Sequence, residues 1–457
     1  HKLELYGSKI KNKLKKKIFI KTFGCQMNEY DSNRIFDIAK KINYSKTDNI
    51  IDANCYVLNT CHIREKATEK VYHEIGRVKK QFRNKKKPIV VIVGCVAQAE
   101  GDLLLENEKY IDAVVGPQSY HNISEIILKI EDEKKKLNST EFEVVEKFDS
   151  LNLIKNSCNT VSSYLTIQEG CDKFCKFCVV PYTRGAEFSR STIELFKECQ
   201  NLISNGAKEI ILLGQNVNAY KFEKNKLSNL ISYLSEIKNL KRIRYTTSHP
   251  VDFTEDLIEI YGKSTKLMPL IHLPIQSGSD RILKKMNRKH TVKFYLNLID
   301  KLKKKNPSLK FSSDFIVAYP EETDRDFEDT LKLMDKVEYI NTYSFLFSAR
   351  PGTPAAKLLK IDERVAKERL ARFQKKAEEI KMNYRKTLFQ KKSSVLFENT
   401  MKRKNQFFGR DQFSNSVIVN SNENLVGQIR EVMIIKGNQN TLFGELDYKF
   451  NREIFAA

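Results

Sequence analysis

At 457 residues the chain is longer than one ordinary domain and is expected to hold two to four. Its 41% hydrophobic content can build real cores and excludes general disorder, and no apolar run reaches the ~20 residues a membrane-spanning helix needs. With 80 Lys and Arg against 57 Asp and Glu, the formal net charge of +23 favours a polyanionic partner, nucleic acid before an acidic membrane surface, over a merely solvated lysine-rich exterior.

The lysine-rich start is followed by no signal-type apolar core. Nine cysteines spread over a long chain point to a reducing cytoplasm, where clustered cysteines ligate metal more often than they pair. From Lys17 the apolar runs Lys17–Thr22, Tyr56–Leu58 and Ile89–Val93 alternate with helical patterns, the first of them from about Ser32 to Ile42. Such continuous runs predict a buried parallel sheet. Cys25, Cys61 and Cys95 each stand just past the carboxyl end of one of these strands. In a parallel sheet those ends share one edge, where ligands bind. Three converging thiolates suggest an iron–sulfur cluster with one iron left without a protein ligand. The plainer alternative is that cysteine is a common buried residue, which suits Cys55. Residues 132–157 are charged and lose periodicity, and read as a linker.

The next strand-like run, Tyr164–Gln168, leads into Glu169-Gly170-Cys171-Asp172-Lys173-Phe174-Cys175-Lys176-Phe177-Cys178. Zinc sites bring cysteines in pairs. A tight C-x3-C-x2-C triplet has no second pair nearby and suits a [4Fe–4S] cluster with an open iron. A zinc knuckle or three inert cysteines are the alternatives. Strands at Glu209–Leu213, Lys241–Thr246, Leu270–Pro274, Lys310–Val317 and Asn341–Phe347 then alternate with helices, which predicts a partial (β/α)6 barrel. The polar loops after these strands, with Gln215, Asn216, Gln276 and Ser277, belong to the end where barrel active sites form. His272 reads as a hydrogen-bonded core residue and Cys199 as buried and inert, while His249 stays open. A charged helix from Ile361 to about Leu388 connects to six short β runs: 394–397, 406–410, 416–420, 424–428, 431–435 and 440–444. They predict a small antiparallel barrel. There Lys402, Arg403, Lys404 and Arg410 lie beside Phe407 and Phe408, cations for phosphate next to rings for stacking RNA bases.

With these residues laid out, nearly the whole chain resembles the radical S-adenosylmethionine methylthiotransferase family. The words that carry the likeness are Gly24-Cys25-Gln26-Met27-Asn28-Glu29-Tyr30-Asp31-Ser32, Asn59-Thr60-Cys61-His62-Ile63-Arg64-Glu65-Lys66-Ala67 and Cys178-Val179-Val180-Pro181-Tyr182-Thr183-Arg184-Gly185. The resemblance implies a methylthiotransferase domain over 17–131, a radical domain over 158–388 and a TRAM barrel over 389–450. It implies two [4Fe–4S] clusters, one on Cys171, Cys175 and Cys178 that cleaves S-adenosylmethionine, and one on Cys25, Cys61 and Cys95 that carries sulfur. No catalytic side chain beyond these ligands is implied. Gln215, Asn216, Gln276, Ser277 and Asp314 are the expected cofactor contacts. The implied substrate is an N6-prenylated adenosine just 3′ of a tRNA anticodon, methylthiolated at C2, with the TRAM barrel on the anticodon arm. An electron-donor protein and a sulfur or cluster carrier are the other implied partners. Relatives that act on threonylcarbamoyladenosine or a ribosomal protein carry different words after the first cysteine, and a zinc-bound, non-catalytic RNA-binding protein is the remaining alternative. The chain departs from the family at Ala318 and Glu321, where glycines are usual.

Overall fold

Side-by-side pairing of the first apolar runs builds a parallel sheet. The computed structural model describes residues 15–61 and 67–447. The lysine-rich start, the 62–66 part of the second family word and the last residues of the expected TRAM domain lie outside the described residues. The strands are β1 (Lys16–Thr22), β2 (Tyr44–Lys46), β3 (Cys55–Thr60), β4 (Ile89–Gly94), β5 (Ala113–Val115) and β6 (Leu137–Ser139). Their order is β2-β1-β3-β4-β5-β6, with every neighbouring pair parallel. The connecting helices are α1 (Gln26–Lys40), α2 (Ala67–Gln81), α3 (Cys95–Asn107) and α4 (Ile123–Glu133). Ile35 and Ile38 of α1 and Ile126 and Ile127 of α4 pack with Val57 and Val91 on one face. Val71 and Ile75 of α2 and Val96 and Leu104 of α3 pack with Leu58 and Val90 on the other. Burial on both faces is the reason the strands read as continuous apolar runs.

The expected linker is not one. Residues 132–157 carry β6, which pairs with β5, and a helix α5 (Val144–Asn152) whose Phe148 and Leu151 join the core. The surrounding charge masked a short but proper helical signal, Val144, Phe148 and Leu151 at i, i+4 and i+7.

The chain forms two compact units. One takes in the residues up to Cys158 with Glu169–Asp172 and Val179–Arg190, and the other takes in Asn159–Gln168, Lys173–Cys178 and the residues from Ser191 onward. The second unit holds β7 (Ser162–Thr166), β8 (Glu209–Leu213), β9 (Arg242–Tyr245), β10 (Leu270–His272), β11 (Lys310–Val317) and β12 (Asn341–Leu346). They hydrogen-bond as two parallel triads, β9-β8-β7 and β10-β11-β12. A parallel bridge from Ile243 to Leu267 leads from β9 towards β10, so six parallel strands follow one another as a partial barrel. Their order in space is their order in sequence, as right-handed βαβ crossovers produce.

The same unit ends in a closed five-stranded barrel, β13 (Lys392–Thr400), β14 (Gln406–Asp411), β15 (Ser416–Asn420), β16 (Ile429–Gly437) and β17 (Leu442–Leu446), in the order β13-β14-β15-β17-β16. Two expectations change here. The β15–β17 pairing is parallel, so the barrel is not purely antiparallel. The run 424–428 is a turn whose Leu425 plugs the barrel core, with Gly427 left-handed at φ 79°. Two buried arginines of β9 dock this barrel. Arg242 donates to the carbonyls of Arg410 (2.9 Å) and Ser394 (2.8 Å). Arg244 donates to those of Gln412 (2.8 Å) and Asp411 (2.7 Å) while Nε holds Glu209 at 2.7 Å. Arg244→Ala strands the buried Glu209 charge and two carbonyls together, and is expected to cost about 3–5 kcal/mol, read by urea denaturation of the full chain.

Candidate cluster sites

The sheet order reverses at β1, between β2 on one side and β3 on the other. In an open parallel sheet ligands bind at such a switch point, outside the carboxyl ends of the strands. Cys25 and Cys61 follow the two strands that meet there, and Cys95 follows the next one. Helix α1, expected from about Ser32, begins at Gln26, and Cys25 is its N-cap. Cys95 is the first residue of α3. The Cys25 thiol at the start of α1 faces unpaired N–H groups and the positive end of the dipole, which favours its thiolate.

Two glycines draw these loops together. Gly24 is at φ 125° and a Cβ there would meet Cys61 Cβ at 2.4 Å, while Gly94 is at φ 100° and a Cβ there would meet the Thr60 carbonyl oxygen at 2.3 Å. Only glycine fits either place. Asn28 pins the loops by donating to the Thr60 carbonyl (2.9 Å) and the Phe23 carbonyl (3.0 Å). Asn59 returns the bond to the Asn28 carbonyl at 2.8 Å. The Cys25 residue is exposed, yet its sulfur faces Asn28 Oδ1 at 3.5 Å. The hydrogen bond with Cys61 pulls the Cys25 thiol down to about 6, and the Arg184 charge and the N–H groups of Asn28 and Met27 add to the pull.

Beneath this edge lies a buried ionic network within the same unit. Arg184 follows the short helix α6 (Val180–Thr183) and binds Asp31 at 3.0 Å. Lys147 binds Glu169 at 2.6 Å and the Pro117 carbonyl at 2.9 Å. Gln118 donates to the Arg184 carbonyl at 2.9 Å. Burial works against the Arg184 charge, but Asp31, Cys95, Glu169 and Cys25 outweigh it and hold the guanidinium firmly protonated. Arg190 is also buried; it donates to Tyr30 Oη and Asn152 Oδ1 and stacks over the Phe148 ring. None of Lys147, Gln118 and Asn152 carried a sequence signal, because their partners are remote along the chain.

In the second unit the cysteine loop is fastened to the barrel at several points. Lys173 reaches Asp252 at 2.7 Å, and Asn216 Nδ2 binds the other oxygen of Asp252 at 2.7 Å. Asn287 donates to the carbonyl of Phe174 at 2.9 Å, and the Lys176 N–H bonds the Met286 carbonyl at 3.1 Å. The Cys178 N–H closes a turn on the Cys175 carbonyl at 2.9 Å. Arg288 donates to Cys175 Sγ at 3.5 Å. Asp252, Asn287 and Arg288 went unread in the sequence, since each is a single polar residue in a turn.

The expected cofactor contacts separate on inspection. Gln215 is half-buried in the loop after β8, and the Nδ2 of Asn216 is held by Asp252. Gln276 is left-handed at φ 81° and its backbone bonds to β11 through Asp314 and Ile316. Ser277 is buried, and its hydroxyl accepts from the Ser279 N–H, a turn-forming task. Asp314 is half-buried with His272 Nε2 at 3.4 Å. His272 also meets Ser312 Oγ at 2.9 Å. His249 is buried and accepts from the Val251 N–H. Cys55 and Cys199 are buried, and burial pushes both thiols up, Cys199 to about 12. The two departures from the family pattern fall at φ 58° (Ala318) and φ 67° (Glu321). The glycine-type turn is therefore kept without glycine, at a strain of about 1 kcal/mol per residue.

Of the expected RNA contacts, Lys402, Arg403 and Lys404 form an exposed turn between β13 and β14. Phe407 is corrected: it is 6% exposed, in the barrel core, and has no face for a base. Phe408 is half-buried with the Arg410 guanidinium 5.1 Å from its ring centre. Arg410 is engaged by Glu398. Alternation along β14 places Phe407 inward and Phe408 outward.

Among the described residues no three His, Cys, Asp or Glu side chains crowd as closely as a single metal ion requires. Each thiolate of a cubane takes a different iron, so cluster donors stand wider apart than the ligands of one ion. A lowered Cys25 thiol beside Cys61, with a buried cation behind it, suits such a cluster.

Residues 17–116 match the family model described as Uncharacterized protein family UPF0004, and residues 165–334 match that of the Radical SAM superfamily. The chain is 57% identical over 443 residues to the tRNA-2-methylthio-N(6)-dimethylallyladenosine synthase of Pelagibacter ubique, covering 96% of this chain and 99% of that one. It is 47% identical over 447 residues to the protein of the same name from Rickettsia canadensis, covering 95% of this chain and 100% of the relative. Among solved structures, the radical S-adenosylmethionine methyltransferase TsrM from Kitasatospora setae aligns at TM-score 0.56 with 11% identity, over 75% of this chain and 77% of that one. At that identity the likeness speaks for the fold alone.

In the metal-free protein the Cys25 thiolate is expected to appear as pH rises through about 6. Iodoacetamide labelling followed by peptide mass spectrometry should show Cys25 half-maximally reactive there, with Cys55 and Cys199 unlabelled at neutral pH. Half-reactivity near the ~8.5 of an ordinary thiol would contradict the described geometry.

Proposed function

This chain belongs to the tRNA-2-methylthio-N(6)-dimethylallyladenosine synthase family, and we infer from this that it attaches a methylthio group to C2 of an N6-prenylated adenosine in tRNA. It is a radical S-adenosylmethionine enzyme with two [4Fe–4S] clusters. When bound, the clusters and S-adenosylmethionine supply the electron, the radical and the methylthio group. Ordinary acid–base side chains cannot break an aromatic C–H bond, so the protein's own part is to bind, orient and exclude water.

The observation that carries the reading is that two sets of three cysteines, each at the carboxyl ends of parallel strands, occur in one chain that is collinear with these relatives. Cys25, Cys61 and Cys95 would hold the sulfur-carrying cluster, with Gly24 and Gly94 bringing their loops together and Arg184 balancing their charge. Cys171, Cys175 and Cys178 would hold the cluster that meets S-adenosylmethionine. Gln215 and Gln276, past the carboxyl ends of barrel strands, and Asp314, within β11, are the better candidates for the cofactor than Asn216, whose Nδ2 is held by Asp252, and Ser277, whose hydroxyl serves its turn. The exposed Lys402-Arg403-Lys404 turn, with Phe408 nearby, is the proposed grip on the anticodon arm. A loop nucleotide there leaves its stack at low cost. The reading also calls for an electron-donor protein, a sulfur or cluster carrier and a cytoplasmic setting.

Nucleoside mass analysis of tRNA from a bacterial strain lacking its own 2-methylthio activity tests the function. The chain should restore 2-methylthio-dimethylallyladenosine and the Cys25→Ala and Cys175→Ala variants should not; persistence of the unmethylthiolated nucleoside with the intact chain would refute the reading. Anaerobic reconstitution should yield about eight irons and eight sulfides per chain, and about four of each in Cys175→Ala. Replacing Lys402, Arg403 and Lys404 together by Ala should weaken tRNA binding and flatten its salt dependence by about two to three log units per log unit of salt.

A further inference from the structure

Arg288 sits in the turn after the helix Asp280–Lys285 and is 5% exposed. Its Nη2 donates to the Pro274 carbonyl at 2.6 Å and its Nη1 to Cys175 Sγ at 3.5 Å. Its Nε is buried with no hydrogen-bond partner. Among the described residues it forms no ion pair with a carboxylate. Asp252, the acid of the neighbouring loop, is already engaged by Lys173 and Asn216. The other groups around Arg288 do not offset its charge. Lys173 and Lys289, which act together with Arg288 on the nearby His249, carry the same sign. His249 and His290 are pulled down by burial first and by Arg288 next, His290 to about 4, so both stay neutral.

A buried guanidinium bonded only to a carbonyl and a thiol carries a desolvation cost that an adjacent negative charge would offset. Buried charges are paired, and removing the partner of one is strongly destabilising. Among the described residues the potentially anionic atom within hydrogen-bond reach of Arg288 is the sulfur of Cys175. We propose that Arg288 is the counter-charge of the cluster held by the C-x3-C-x2-C loop, a positioning residue that favours the reduced, more negative state of the cluster. The proposal rests on that loop holding a cluster. Adding one electron adds one negative charge, which a fixed cation in a low-dielectric setting stabilises.

The test uses the full chain with Cys25, Cys61 and Cys95 replaced by Ala, so that one cluster remains. Into this parent go Arg288→Met and Arg288→Lys. Iron content, the midpoint potential from a dithionite titration followed by electron paramagnetic resonance without S-adenosylmethionine, and the melting temperature of the metal-free protein are read. Arg288→Met should bind iron at the parental level yet hold about tenfold less reduced cluster at a fixed potential, a shift of 59 mV for one electron. Arg288→Lys should recover most of that shift. The metal-free Arg288→Met protein should melt above its parent, because the unpaired charge is gone; a merely structural arginine would lower it. An iron-loaded Arg288→Met with unshifted potential, or a metal-free one that melts below the parent, overturns the proposal. If Arg288→Met takes up no iron, parental loading of Arg288→Lys supports a role for the charge, and loss of iron from both variants overturns it. A parent that binds no iron sinks the cluster assignment itself, before Arg288 is reached.

Discussion

Parallel pairing is the constraint from which the chemistry follows. In a parallel sheet all carboxyl ends lie along one edge, and each must turn into a helix whose first N–H groups are unpaired. Cysteines placed after β1, β3 and β4 therefore share an edge, and two of the three open a helix. Nothing in their sequence spacing would bring them together without that pairing. The reversal of strand order at β1 opens the crevice, and Gly24 and Gly94 let the loops close on one another where any Cβ would collide.

The second organising feature is buried charge. Asp31, Lys147, Glu169 and Arg184 are joined by four ion pairs below the Cys25 edge. In the other unit Arg242 and Arg244 spend their guanidinium groups on carbonyls of the terminal barrel and on Glu209. In both places each cation has a partner, so the cost of burial is offset by hydrogen bonds in low dielectric. Arg288 has a carbonyl partner too, and its second contact is a sulfur that belongs to the cysteine loop.

The terminal barrel shows how little a sequence run of cations and rings says about orientation. Phe407 and Phe408 are adjacent and chemically alike, yet alternation sends one into the core with Val417 and Leu442 and leaves the other half-buried under Arg410. The basic turn Lys402-Arg403-Lys404 stays exposed because it caps the connection between β13 and β14.

The strands, the six cysteines and their positions after apolar runs were readable from the residues, because burial on both faces of a parallel sheet writes continuous apolar runs and, for Cys171, Cys175 and Cys178, metal chemistry writes close spacing. The left-handed turns at Ala318 and Glu321 were visible only as departures from a pattern; the structure shows the backbone keeping the turn and bearing the strain. Helix α5 had a short apolar period hidden among charges, whereas the pairing of β6 and the partnerships of Arg184, Lys147 and Arg288 came from the tertiary structure alone. Each joins residues distant in the chain through a single polar group or a few apolar ones, and an isolated residue has no period from which its partner can be inferred.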